Sequence, residues 1–257
     1  MKKCTFVMTV LVVVLLCTWA GKASDGSYRL SCSDRYWYPF LYTQEDRVKG
    51  ILYDIVNKAF ESLGIETYVE PVPYKRALVY AQKGKVDALF GIGFRAELSR
   101  YLDYPPAAGS DVESQWRILQ VDYVVVTFIE NDYEFEGDLR SLPVPVRIPQ
   151  GAPIIDKLDN AGIRSQELRR SMQNFLQLIR DKKGVVIATS VTSEIIARDP
   201  RFEGKIKIHA TPIASHSCHL AFSKKNRFSA SEKERIWKEM ARWRDDYVFM
   251  LQVFSQY

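Results

Sequence analysis

The sequence predicts an α/β protein of two lobes, each built on parallel strands with helices on its faces. Three observations carry that prediction. Residues 28–91 alternate strand and helix patterns in βαβαβ order, which favours a parallel sheet. The β-rich run "RILQVDYVVVTFI" at 117–129 is long enough to pass from one lobe to another. A second βα set then starts at "VPVRI", so the chain has two α/β units, more than one crossover and a ligand cleft between the units.

In chain order, Tyr28 to Cys32 predicts a short strand, followed by the aromatic loop Arg35-Tyr36-Trp37-Tyr38-Pro39-Phe40. Gly50 opens a helix in which Leu52, Ile55, Val56, Ala59, Phe60 and Leu63 keep the 3.6-residue period, and Gly64 ends it. Glu66 to Pro73 is a strand, Lys75 to Lys83 a helix, and Val86 to Gly91 a buried strand. Beyond it stand Gly93, a short helix carrying Arg95, Glu97 and Arg100, and the stop "DYPP". Glycines at a strand end admit close backbone approach, and a helix start offers free N–H groups. Gly91, Phe94 and Arg95 are therefore expected in one wall of a binding site. In the second half, "VPVRI" and "VVIATS" read as strands, and "GAPIIDKLDNAG", "RSMQNFLQLIRDKKG" and "TSEIIARDP" as helices. "KIKIHATPI" and "CHLAFSKK" read as two later strands, and Ser229 to Tyr257 as a helical tail.

Residues 1–23 read as a cleaved secretory signal peptide: a basic start, an apolar run from Phe6 to Cys17, and small residues before a cut after Ala23. The apolar run is shorter than the ~20 residues that cross a bilayer. Cleavage removes Lys2, Lys3 and Lys22 and leaves 33 Lys+Arg against 31 Asp+Glu, so the basicity of the whole chain falls to a formal +2. No basic block or basic helix stands out, which argues against nucleic acid as a partner. Cys32 and Cys218 remain in an oxidising compartment, and two readings stand: a disulfide, contributing up to about 5 kcal/mol in the chain-entropy account, or two buried thiols. His209, His216 and His219 cluster near Cys218, but strand alternation puts His216 and Cys218 on one side and His219 on the other, so no metal is expected. There is no Gly-x-Ser-x-Gly elbow, phosphate-binding Walker loop or His-Glu-x-x-His helix, and an enzyme is not the expected class; no cofactor is implied.

Six segments in order, "WYPF", "GILYDIVNKAFESLG", "PYKRALVYAQKGKVDALF", "AELSRYLDYP", "FEGDLRSLPVPVRIPQG" and "HLAFSKKN", resemble the family-3 extracellular solute-binding proteins, the periplasmic receptors for polar amino acids. The resemblance implies a type II periplasmic-binding-protein fold: lobe one from 27–118 and 216–257, lobe two from 119–215, and two crossover strands between them. It implies a monomeric periplasmic receptor that closes on a small polar or zwitterionic, amino-acid-like solute and delivers it to the membrane subunit of an ABC transporter. A membrane sensor as recipient, or a periplasmic lyase on the same fold, is the alternative. The family's carboxylate-binding arginine falls here at Leu98, and its ammonium-binding aspartate at about Thr192, with Ser190 beside it; both charged anchors are absent. A leucine cannot replace a bidentate guanidinium clamp. Arg95, three residues before Leu98, is the candidate substitute, and Arg100 reads as a surface charge. Trp37 matches the family's stacking aromatic, against the plainer reading of a core plug. Tyr74 and Arg76 stand where a strand yields to a helix and either face the cleft or form a hydrophobic staple and a solvent-facing arginine. Gln150 and Gly151 match the second-lobe loop whose backbone N–H groups hold a ligand carboxylate.

Overall fold

The computed structural model describes residues 27–109, 114–150, 152 and 154–257. The predicted signal segment and Gly151 lie outside the described residues.

Lobe one is a sheet of β1 (Tyr28–Ser33), β4 (Thr67–Val72) and β5 (Ala88–Ile92), all parallel, with β1 in the middle. Strand alternation sends Leu30, Ala88 and Phe90 to one face and Leu89 to the other; Ile92 joins Leu89 because Gly91, at φ +72°, breaks the alternation. Each face needs a cover. The first is covered by α1 (Ile51–Ser62), whose Ile51, Leu52, Ile55, Val56, Ala59 and Phe60 are buried against Ile236, Trp237 and Met240 of α6 (Ala230–Asp245). The second is covered by α2 (Tyr74–Lys83), through Ala77 and Ala81, together with Leu98 and Leu102. A small hairpin, β2 (Tyr42–Gln44) with β3 (Arg47–Lys49), leads into α1.

Lobe two repeats the plan. β8 (Val146–Pro149) lies between β9 (Ser165–Leu168) and β10 (Val185–Thr189), both parallel to it, and β10 pairs antiparallel with β7 (Leu119–Phe128). Every residue of β10 is buried, because Val185 and Ile187 face one cluster while Val186 and Ala188 face another. The second cluster is closed by Phe175 and Leu178 of α4 (Ser171–Asp181), Ile196 of α5 (Ser190–Ala197), and Phe202. On the other side lie Leu158 of α3 (Ile155–Asn160), Phe135 and Leu142.

Two strands join the lobes. β7 pairs antiparallel with β11 (Ile206–Ser223) from Leu119↔Cys218 to Phe128↔Ile206, and the far end of β11 turns to β5 and to β6 (Leu102–Asp103) in lobe one. Across this ribbon Ser217 Oγ donates to Gln120 Oε1 at 2.7 Å and Gln120 Nε2 donates to Ser215 Oγ at 2.6 Å. The fold is thus α/β, with two lobes joined by two crossover strands, as the sequence predicts.

Some elements differ from the sequence reading. "KIKIHATPI" and "CHLAFSKK" form one strand, since the polar stretch between them pairs with β7; Pro212 sits where the register shifts, the place a strand tolerates proline. The tail is two helices, because Asp246 leaves helical geometry and its side chain accepts from Phe249 N at 2.9 Å, starting α7 (Tyr247–Phe254). β9 and the β2–β3 hairpin are strands that the sequence reading leaves as loops. Cys32 and Cys218 are free, buried thiols. β5 stands between β1 and β11, so about two strand spacings, roughly 9–10 Å, separate the two strands, beyond the reach of a disulfide. Burial pushes both thiols up to about 12.

Candidate functional site

All six parallel strands point their carboxyl ends at one place. In open α/β sheets that is where ligands bind, because helix starts and strand-end loops converge there. A cleft of about 480 Å³ lies at that point, of a size that suits a small molecule. Lobe one contributes Ser33 and Arg35 after β1, the loop Tyr36-Trp37-Tyr38, Tyr74 after β4, and Gly91 to Gly93 at the end of β5. Lobe two contributes Pro149, Gln150 and Ala152 from β8 onward, Arg169 to Met172 after β9, and Thr189, Thr192, Ile195 and Ile196 from β10 onward. Tyr123 of β7 is the floor.

The aromatic loop is held from below. Trp37 N donates to Leu41 O and Leu41 N to Trp37 O, both at 2.8 Å. The free N–H groups at the start of α1 find acceptors in the same loop: Ile51 N donates to Pro39 O and Leu52 N to Phe40 O, each at 3.0 Å. Gly50 makes this close approach with φ +120°. The hydroxyl of Tyr257 accepts from Gly50 N at 3.1 Å and donates to Asp54 Oδ2 at 2.5 Å, while Tyr38 donates its own hydroxyl to Tyr257 O at 2.6 Å. Burial raises the Asp54 carboxyl and the Tyr257 hydrogen bond opposes that rise. Burial also raises Tyr257, which stays a donor.

The lobes touch across the cleft. Thr189, capping α5, donates its hydroxyl to Thr192 Oγ1 at 2.7 Å, and Thr192 donates its own hydroxyl to Tyr38 O at 3.2 Å. The Arg170 guanidinium stands 5.7 Å from the centroid of the Tyr36 ring.

Of the residues singled out in the sequence, Trp37, Tyr74, Gly91, Gln150 and Thr192 line this cleft. Arg76, Phe94, Arg95 and Ser190 do not. Arg76 is an exposed residue of α2. The Phe94 ring packs on Tyr104 at 5.1 Å between centroids. Arg95 is exposed and paired with Glu97 at 2.5 Å. It is the extended cap of the turn Ala96–Arg100 (φ −144°, ψ 125°), so it shares no helical face with Leu98, which is buried in the core at 5 % exposure. The sequence reading misses Arg35, Tyr123, Arg169, Arg170 and Thr189. For the two adjacent arginines the signal is their position just before an amphipathic helix.

Sequence alone links the chain to no protein-family model and to no curated protein. Solved structures are informative. An ancestral cationic amino acid solute binding protein (AncCDT-1) superposes with a TM-score of 0.67 at 13% identity, covering 90% of this chain and 95% of its own. The L-cystine solute receptor of Neisseria gonorrhoeae, in an unliganded open conformation, gives 0.64 at 12% identity over 91% and 92%. A histidine kinase sensor domain similar to periplasmic binding proteins gives 0.63 at 15% over 90% and 95%.

The chain has the periplasmic-binding-protein fold. The lining of the cleft is read from this chain alone. Three arginines line it, and among the described residues no Asp or Glu does.

Proposed function

We propose that the chain is a solute-binding receptor that captures a small polar or zwitterionic solute between its lobes. The observation that supports this best is the cleft itself, fed from the carboxyl ends of strands in both lobes and crossed by contacts from Thr192 and Arg170. Trp37, Tyr74, Gly91, Gln150 and Thr192 are the proposed contacts. The lobe boundaries proposed are 27–118 with 216–257, and 119–215; pairing of Leu119 with Cys218 and of Val121 with His216 supports a division within that ribbon. The compartment proposed is the periplasm, reached through cleavage after Ala23. Among the described residues no helix is long and apolar enough to cross a membrane. Delivery to an ABC importer is the recipient proposed. Transfer of a signal to a membrane sensor is the second reading, favoured by the likeness to a kinase sensor domain.

Thermal denaturation of the purified chain against amino acids, polyamines, organic acids and short peptides tests the reading. A ligand at 100 times its Kd stabilises by about 2.7 kcal/mol. That ligand is expected to be recovered chemically unchanged and to perturb tryptophan fluorescence, and Trp37→Ala is expected to weaken it by about 1–3 kcal/mol. Turnover of the solute would instead support a lyase, a reading with some support because AncCDT-1 is also described as a precursor of cyclohexadienyl dehydratase.

A further inference from the structure

We propose that this cleft selects a small organic anion with an aromatic or apolar body, its carboxylate held by Arg169 and Arg170. The proposal rests on the receptor reading and narrows its ligand. The charge of the lining carries it: Arg35, Arg169 and Arg170 face the cleft, and among the described residues no carboxylate does. Neither Arg169 nor Arg170 has a carboxylate partner among the described residues, so their charge stays available to a ligand. An ammonium group in the same space would be desolvated beside the like charges of Arg169 and Arg170. That sets the chain apart from neighbours described as binding cationic amino acids.

Position reinforces charge. Arg169 and Arg170 follow β9 and precede α4, an 11-residue helix whose first residues, Ser171 and Met172, also line the cleft. The free N–H groups and positive dipole end of that helix favour the same anion. Arg170 lies against Tyr36 of the opposite lobe, so a bound carboxylate would meet groups from both sides. Tyr36, Trp37, Tyr74, Tyr123, Met172 and Ile195 give a ring flat surfaces to stack on, and the polar side chains beside them, Ser33, Gln150, Ser171, Thr189 and Thr192, are neutral, so among the described residues an amino-acid ammonium meets no opposite charge.

The test titrates the purified chain with five probes that vary charge and body separately: phenylpropionate, phenylalanine, phenylethylamine, propionate and arginine. Phenylpropionate is expected to bind at least about tenfold tighter than phenylalanine, whose added ammonium is desolvated beside like charges. Propionate is expected to bind more weakly than phenylpropionate, and phenylethylamine and arginine to show no saturable binding. Arg169→Gln and Arg170→Gln change exposed residues, and unchanged urea denaturation midpoints are the check on their folding. Each is expected to weaken phenylpropionate about tenfold or more and to flatten its loss of affinity with added salt. Tighter binding of arginine or phenylethylamine, or unchanged affinity in both variants, overturns the anion assignment while the receptor reading stands. Saturable binding of none of the five also overturns it, and the receptor reading falls only if the wider thermal panel is silent as well.

Discussion

Gly50 holds the aromatic loop against α1, and Gly50→Ala tests how much that approach matters. Its φ of +120° lies where L-residues are strained, at about 1–3 kcal/mol. A methyl group there would sit 2.4 Å from Phe40 O, 2.6 Å from Phe40 C and 2.8 Å from Leu41 N. All three are backbone atoms, so no rotamer change relieves the clash and the loop itself must move. Moving it stretches the 3.0 Å bonds from Ile51 N to Pro39 O and from Leu52 N to Phe40 O. Losing one of them adds about 1–1.5 kcal/mol. The expected total is about 2–4.5 kcal/mol, a large share of the roughly 5–15 kcal/mol that holds a domain together. Gly64→Ala is the control: its φ of +68° is equally left-handed, but nothing lies within 4 Å of the added methyl. It should cost only about 1–2 kcal/mol. Urea denaturation followed by tryptophan fluorescence compares the two. A Gly50→Ala midpoint no lower than that of Gly64→Ala would refute the close-approach argument, and with it the account of how the cleft loop is positioned.

Three further outcomes are expected. Burial holds His219 down to about 4, well below the ordinary histidine value of about 6.5, so between these values the unfolded chain takes a proton that the folded chain refuses. Stability should therefore fall as pH drops from 6.5 toward 4, with about 3 kcal/mol at full extent from His219, and His219→Leu should make that slope shallower, leaving the share of His209 and His216, which burial also lowers; parallel curves for the two proteins would contradict it. Arg147 is fully buried, donating from Nη2 to Asp181 Oδ2 at 2.6 Å and from Nη1 to Lys183 O at 3.0 Å. Arg147→Ala should cost about 3 kcal/mol in urea denaturation and Arg147→Met distinctly less, since methionine keeps the stem volume and buries no charge; equal costs would point to the ion pair alone. Because Cys32 and Cys218 are free, melting temperatures with and without a reductant should agree, and a drop of several degrees on reduction would reveal a bridge.

Local patterns were legible where one residue's neighbours settle its state. The α1 face from Leu52 to Phe60, the buried run of β10, and the order of strands and helices need only periodicity and burial. β9 escaped because Ser165 to Leu168 is a polar segment at the edge of its sheet, with no alternation strong enough to mark it. Missing that strand also hid Arg169 and Arg170, whose importance comes from standing at its carboxyl end. Arg95 fails for a related reason. Its proximity to Leu98 in sequence suggested a shared helical face, but an extended cap residue turns its side chain elsewhere, toward Glu97.

The sequence by itself determined the α/β class, the two α/β units, the first crossover strand and the aromatic loop, because those follow from hydrophobic period and from glycine and proline placement along the chain. Only the tertiary structure decided which charges share the cleft. Arg35, Arg169 and Arg170 come from opposite lobes and distant strands, while Arg95 and Arg76, nearer to the expected motif, are exposed and do not line it. A periodic pattern records which side of an element is buried, but the direction of a charge at a strand's end is set by where several strands end together, and no single stretch of sequence contains that.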